Sequence, residues 1–250
     1  MASLARGAGP ARGGGSRLPR VPARRMLEIL QATYPEARTA LDFRTPFELL
    51  VATILSAQCT DRLVNTVTPG LFAAYPDAAR MAAASPEDLE PLINRCGLYR
   101  NKAKHLAAAA RALVLRHGGA VPRTMAELLD LPGVGRKTAN CVLANAFAVP
   151  GIAVDTHVFR VANRLGLASG ATPAQVEAQL QRRCPRRAWA DLHHQLIWHG
   201  RLVCHARRPD CGGCPLRHLC PEGRRRLREA PAEPGARGPA RRRAGPAGTA

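Results

Sequence analysis

The chain has 250 residues, 37 of them basic and 18 acidic, for a formal net charge of +19 and a pI near 11.2. That balance favours a polyanionic partner, either nucleic acid or an anionic membrane surface, and the length is enough for one or two domains with a sizeable core. No run of 18 or more apolar residues is present, which excludes a membrane-spanning helix, and the N-terminus lacks an apolar signal core.

Taken in order, residues 1–25 hold six arginines and no acid. Helical signals follow over 24–33, 46–56, 60–75, 77–83, 86–94, 101–116, 125–130, 135–147, 156–165, 173–182 and 188–202: Ala- and Leu-rich segments separated by Pro, Gly or capping residues. Thr45, Ser85 and Thr172 stand where N-caps belong. No sustained period-2 run predicts a strand. Residues 221–250 hold eight arginines against three glutamates. The two flanks are expected to be disordered basic tails, because Gly, Pro and Arg cannot bury enough apolar surface to offset ordering entropy. Residues 26–220 still carry 23 basic against 15 acidic groups, so the folded part itself should attract polyanions. The fold class is all-α.

Eight cysteines without an export signal argue for metal binding or buried thiols in a reducing compartment. Cys59, Cys96, Cys141 and Cys184 are scattered singly and read as small buried hydrophobes. Cys204, Cys211, Cys214 and Cys220 instead form C-x6-C-x2-C-x5-C within seventeen residues. Four soft ligands suit tetrahedral zinc or a [4Fe-4S] cube, and the single close pair with long outer arms favours the cube. Arg207 and Arg208 fall inside the first loop of this array, as solvated surface or as phosphate contacts.

Leu131-Pro132-Gly133-Val134-Gly135-Arg136-Lys137-Thr138-Ala139 is a glycine hairpin between two helices. No strand precedes it, so a dinucleotide-binding turn is disfavoured. Backbone N–H groups and a helix N-terminus are what a phosphate needs, and such a hairpin grips DNA without reading its sequence. Only three lysines, Lys102, Lys104 and Lys137, stand against 34 arginines. Lys137 occupies the first helical turn, where an arginine would serve a phosphate equally well but only lysine can become a nucleophilic amine. A plain surface lysine is the alternative. Asp155, in Ile152-Ala153-Val154-Asp155-Thr156-His157-Val158-Phe159-Arg160, reads as a helix N-cap. A carboxylate held so rigidly can also stabilise positive charge developing on a sugar. Leu55-Ser56-Ala57-Gln58-Cys59-Thr60-Asp61 is a polar junction between apolar helices. Cys96-Gly97-Leu98-Tyr99 is a turn whose Leu98 is either core or a wedge for the base stack.

Together these segments resemble the bacterial endonuclease III family of helix-hairpin-helix DNA glycosylases, in the family's order and over residues 26–220. The resemblance implies a two-domain α-helical fold. A six-helix barrel at 39–149 carries the helix-hairpin-helix, and a second domain from 26–38 plus 150–220 carries the cluster loop. It makes Lys137 the nucleophile and Asp155 the catalytic carboxylate. Gln58 and Leu98 fill the gap left by a flipped base, and Gly133, Val134, Gly135, Arg136 and Thr138 form the DNA-backbone hairpin. Cys204, Cys211, Cys214 and Cys220 become ligands of a [4Fe-4S] cluster. The implied activity is excision of damaged pyrimidines from double-stranded DNA, with abasic-site cleavage through a lysine Schiff base. The expected setting is a monomer with no membrane contact, cytoplasmic and nucleoid-associated. The related mismatch adenine glycosylases usually lack a lysine at the position of Lys137. A non-catalytic DNA-binding protein would need neither Lys137 nor Asp155, and an iron-sulfur electron carrier would need no hairpin. Cys59 departs from the family's first motif.

Overall fold

The computed structural model describes residues 21–229. Among these residues there are twelve α-helices and no strand. α1 (Ala23–Thr33) is followed by a linker, then by α2 (Pro46–Leu55), α3 (Asp61–Ala74), α4 (Ala78–Ala83), α5 (Pro86–Ile93), α6 (Tyr99–His117), α7 (Met125–Leu129) and α8 (Arg136–Phe147). After a second linker come α9 (Thr156–Leu165), α10 (Pro173–Arg183), a 3₁₀ turn (Arg186–Ala188), α11 (Trp189–Leu202) and α12 (Pro221–Glu229).

The helix starts follow from local chemistry. Thr45 Oγ1 accepts from Glu48 N at 3.1 Å, Thr172 Oγ1 accepts from Gln175 N at 3.3 Å, and Ser85 makes a full capping box with Asp88. Pro46, Pro86 and Pro173 each follow their cap, where a missing N–H costs nothing. α2 is buried on every side from Leu49 to Leu55, so it is the central helix of its layer.

Two hydrophobic cores are present. The first is enclosed by α2 to α8, with Leu50, Leu71, Met81, Leu89, Leu106, Leu113 and Leu128 at its centre. The second joins Met26 and Leu30 of α1 to Val158, Val161, Leu165, Leu180 and Leu196 of α9, α10 and α11. The two ends of the described segment therefore build one core, and its middle builds the other.

Polar ties stitch the cores together. Arg136 on α8 makes a bidentate pair with the buried Glu177 on α10 at 2.8 and 2.9 Å, and Asn140 Nδ2 reaches Glu177 and the Ile152 carbonyl, both at 3.2 Å. Asn145 Oδ1 lies 2.9 Å from His194 Nε2, and Arg201 bonds Asp61 at 2.8 Å.

The basic tails expected over 1–25 and 221–250 lie mostly outside the described residues. Where they overlap, the expectation is corrected. α1 already begins at Ala23, and residues 221–229 form a helix rather than a tail. Pro221 starts it directly after Cys220, and Glu222 pairs with Arg225 and Arg226 one turn on, the spacing at which opposite charges support a helix.

Candidate active site and metal centre

A cavity of about 480 Å³ opens between the cores, a size typical of small-ligand sites. Lys137, from the first turn of α8, and Asp155, the N-cap of α9, both line it, together with Gln58 and Cys59. A larger groove of about 940 Å³ lies beyond the 38–44 linker and holds no predicted site residue.

Asp155 caps as the sequence suggested: its Oδ1 accepts from Val158 N at 2.7 Å. That bond fixes one carboxylate oxygen while the side chain still faces the cavity. Lys137 is exposed to solvent. Of the other two lysines, Lys102 is buried and its Nζ donates to the Leu55 carbonyl at 2.8 Å.

The glycine hairpin lies outside the cavity lining. Gly133 has φ +77°, and a Cβ there would stand 2.7 Å from His105 Cβ on α6, so no other residue fits. Gly135 begins α8 with no side-chain cap, so the first-turn N–H groups remain open to an anion. Val134 is buried in the first core. The Arg136 guanidinium is committed to Glu177, which raises its pKa further, so Arg136 serves this hairpin through its backbone. Thr138 is half-buried behind it.

Leu98 is not core: it is 57 % exposed. It also adopts the left-handed conformation, φ 59°, as does the exposed Gln58 at φ 54°. Strained backbone of this kind persists where the surroundings over-determine it, and it gathers at functional sites.

Sequence reasoning missed several cavity residues. Asp61 and His157 sat inside quoted motifs without being singled out, and Arg201, Trp198 and the adjacent His193 and His194 were passed over on α11. The adjacent histidine pair was the available signal. Burial, with the neighbouring His194, holds His193 down at about 3, and burial holds His194 at about 4. Burial lowers His157 too, against the opposing pull of Asp155. Gly200 lets α11 approach α9 closely, since a Cβ there would lie 3.0 Å from His157 Nδ1.

The four clustered cysteines line one pocket with Arg164, His199 and Gly223. Among the described residues no three His, Cys, Asp or Glu side chains converge as a single ion requires. A cubane asks for something different, one thiolate at each iron corner, with N–H donors to the sulfurs. Those donors are present: Leu216 N to Cys214 Sγ at 3.4 Å, Gly223 N to Cys220 Sγ at 3.2 Å, and Arg164 Nη1 to Cys204 Sγ at 3.5 Å. Burial and the neighbouring cysteines push Cys214 up to about 11. Four thiols crowded in this way are stable as ligands only when a cation holds them as thiolates. Arg164 also ties the first loop through the His205 and Ala206 carbonyls at 2.6 and 2.7 Å. Arg207 and Arg208 are exposed.

Comparison with known proteins agrees with this architecture. The model of the HhH-GPD superfamily of base excision DNA repair proteins matches residues 51–186, and that of the iron-sulfur binding domain of endonuclease III matches residues 204–220. Endonuclease III of Synechocystis sp. is 51 % identical over 80 % of this chain and 91 % of its own. The Bacillus subtilis endonuclease III is 48 % identical over 80 % and 92 %. A solved trapped covalent intermediate of endonuclease III with DNA superposes with a TM-score of 0.78 at 47 % identity, covering 82 % of this chain and 97 % of that one. The chain belongs to the endonuclease III family, within the HhH-GPD superfamily of base excision DNA repair proteins. It is a DNA glycosylase and abasic-site lyase with a [4Fe-4S] cluster held by its cysteine loop.

Proposed function

We propose that Lys137 and Asp155 carry out excision of oxidised pyrimidines and cleavage of the resulting abasic site in double-stranded DNA. The observation that supports this is that an amine from one core and a carboxylate from the other line one cavity. Backbone binding alone needs neither.

In this reading the hairpin at Gly133, Val134, Gly135, Arg136 and Thr138 holds the DNA backbone through N–H groups. Leu98 and Gln58 occupy the gap left when the damaged nucleotide turns into the cavity. Asp155 stabilises positive charge developing on the sugar as the base departs. The amine of Lys137 attacks C1′, and loss of the base leaves an imine between Lys137 Nζ and the opened sugar. The imine acidifies the C2′ protons, so the 3′ phosphate leaves by β-elimination and the strand is cut. The similar endonuclease III–DNA covalent intermediate supports a covalent step of this kind. Cys204, Cys211, Cys214 and Cys220, which line a pocket separate from that of Lys137 and Asp155, would hold the cluster and through it would tie the 204–220 loop together. The protein acts as a monomer beside DNA in the cytoplasm. Among the described residues no helix is long and apolar enough to cross a membrane.

Borohydride trapping on damaged duplex DNA tests the reading. Lys137→Gln should bind damaged DNA yet form no trapped adduct. An undiminished adduct would assign the nucleophile to Lys104 or another amine.

A further inference from the structure

The two loops that carry Gln58 and Leu98 touch each other. A Cβ on Gly97 would stand 3.7 Å from the Gln58 carbonyl oxygen, and both Gln58 and Leu98 are held at positive φ. Each loop places a cysteine at this junction, directly after Gln58 and directly before Gly97. Cys96 is 1 % exposed within the first core. Cys59 packs against that same core from outside and lines the cavity beside Lys137 and Asp155. The reading of Cys59 as a buried hydrophobe is thus corrected: it is partly exposed, and it faces the site. The two thiols adjoin, and burial together with the Cys59 thiol pushes Cys96 up to about 11. Cys141, on the same cavity wall, is occupied differently, by the Thr53 hydroxyl at 3.8 Å and the Asn145 amide at 3.7 Å.

We propose that Cys59 and Cys96 form a modification site, a reversible disulfide written by peroxides that cross-links the two loops facing DNA. The chemistry of the site rests on the cysteines alone. Its consequence rests on the assignment of Gln58 and Leu98 to the gap in the duplex.

The exposure pattern sets the order of events. Cys59 meets solvent through the open cavity, so it is the sulfur that a small peroxide reaches, whereas Cys96 is shielded from peroxide and lies beside Cys59, the position a resolving cysteine needs. Cys59 gives up its proton and its sulfur attacks one peroxide oxygen. The O–O bond breaks, the departing hydroxide takes the proton to form water, and Cys59 becomes a sulfenic acid. The Cys96 sulfur then attacks Cys59 Sγ, the S–O bond breaks, and the Cys96 proton leaves with the hydroxide as a second water. Two electrons pass from the sulfur pair to the peroxide, and two waters and one disulfide result. A dithiol reductant reverses the change by exchange.

Closing the bond draws the two sulfurs to about 2.05 Å and ties the loop bearing Gln58 to the turn bearing Leu98. Both side chains must be placed independently to fill the space of a flipped nucleotide. A misplacement of about 1 Å costs up to about 10²-fold in rate, so the cross-linked form should excise roughly tenfold to a hundredfold more slowly.

The test uses the full chain with its cluster, treated with hydrogen peroxide at doses that leave the brown cluster absorption unchanged. Non-reducing peptide mapping should recover the peptides of Cys59 and Cys96 joined, with a mass deficit of two hydrogens. Excision of a damaged pyrimidine should fall and return on reduction. Cys96→Ala should keep the reduced activity, form no cross-link, and yield a sulfenic acid at Cys59 that dimedone captures. Both thiols free after treatment, or Cys59 captured by dimedone in the unsubstituted chain with Cys96 free, would overturn the site. Peptide mapping of the unsubstituted chain decides the matter even if Cys96→Ala folds poorly. A cross-link with undiminished excision would keep the modification site and refute the role given to Gln58 and Leu98.

Discussion

Replacing Leu98 by glycine separates a residue kept for the fold from one kept for DNA. Three effects on stability oppose one another. A non-glycine residue in the left-handed region costs about 1–2 kcal/mol, which glycine recovers. Glycine gives back about 0.5–1 kcal/mol through the greater freedom of the unfolded chain. Leu98 is 57 % exposed, so the part that is covered is less than half of a side chain worth about 1.5–3 kcal/mol when fully buried. The three nearly cancel, and Leu98→Gly should leave stability within about 1 kcal/mol, a few degrees in Tm for a chain of this size. The exposed part is what a base stack would cover. Inserting it is worth roughly 0.9–1.7 kcal/mol on the same scale, so excision of a damaged pyrimidine should slow roughly 4- to 17-fold. Single-turnover excision on duplex substrate and a thermal melt of the free protein measure the two quantities. A melt lowered by ten degrees with excision unchanged would make Leu98 a structural residue and refute the argument.

Asp155→Asn keeps a capping side chain of nearly equal quality, so the protein should fold normally while base release slows by ~10²-fold or more. Cleavage of a ready-made abasic site should suffer less, and equal loss in both assays would count against a role in base departure. Gly133→Ala meets His105 Cβ at 2.7 Å in a left-handed backbone and should cost about 2–5 kcal/mol. Gly135→Ala, whose Cβ meets nothing within 4 Å, is the matched control in the same melt. His193 and His194 sit at about 3 and about 4 against an ordinary 6.5. Below pH 6.5 the unfolded chain therefore binds more protons than the folded one. Stability should hold above that pH and fall as pH drops from 6.5 toward 4, by at most ~1.4 kcal/mol per unit for each histidine. Urea titrations across the window check this, and His194→Gln should flatten the fall.

What could be read in the sequence was whatever is local. All eleven expected helices are present, with ends displaced by one or two residues, because periodicity and caps act within a turn. α12 was lost because its residues were averaged into an arginine-rich flank, whereas its support is two ion pairs within one turn and the anchor at Cys220. The hairpin, Asp155 and the cysteine array were legible as motifs. The contacts that span the chain were not. Nothing near Arg136 signals that Glu177, forty-one residues on, will claim its guanidinium. Nothing near Cys59 signals that Cys96 lies against it. The left-handed backbone at Gln58 and Leu98 contradicts the preference of both residue types, and it is imposed by tertiary packing.

The ties between the two cores bear on where the work of recognition is done. Arg136, Asn140 and Glu177 make one tie, Asn145 and His194 a second, and Asp61 and Arg201 a third. A cleft bolted at three points does not open and shut around its substrate like a hinge. If Lys137 is the nucleophile as proposed, the strain of bringing a nucleotide to it falls on the double helix, whose bending alone costs of order 1–6 kcal/mol. A damaged, weakly stacked base lowers that cost for its own strand. Selectivity in such a protein is a measurement of how readily a stretch of duplex yields, made against an unyielding frame.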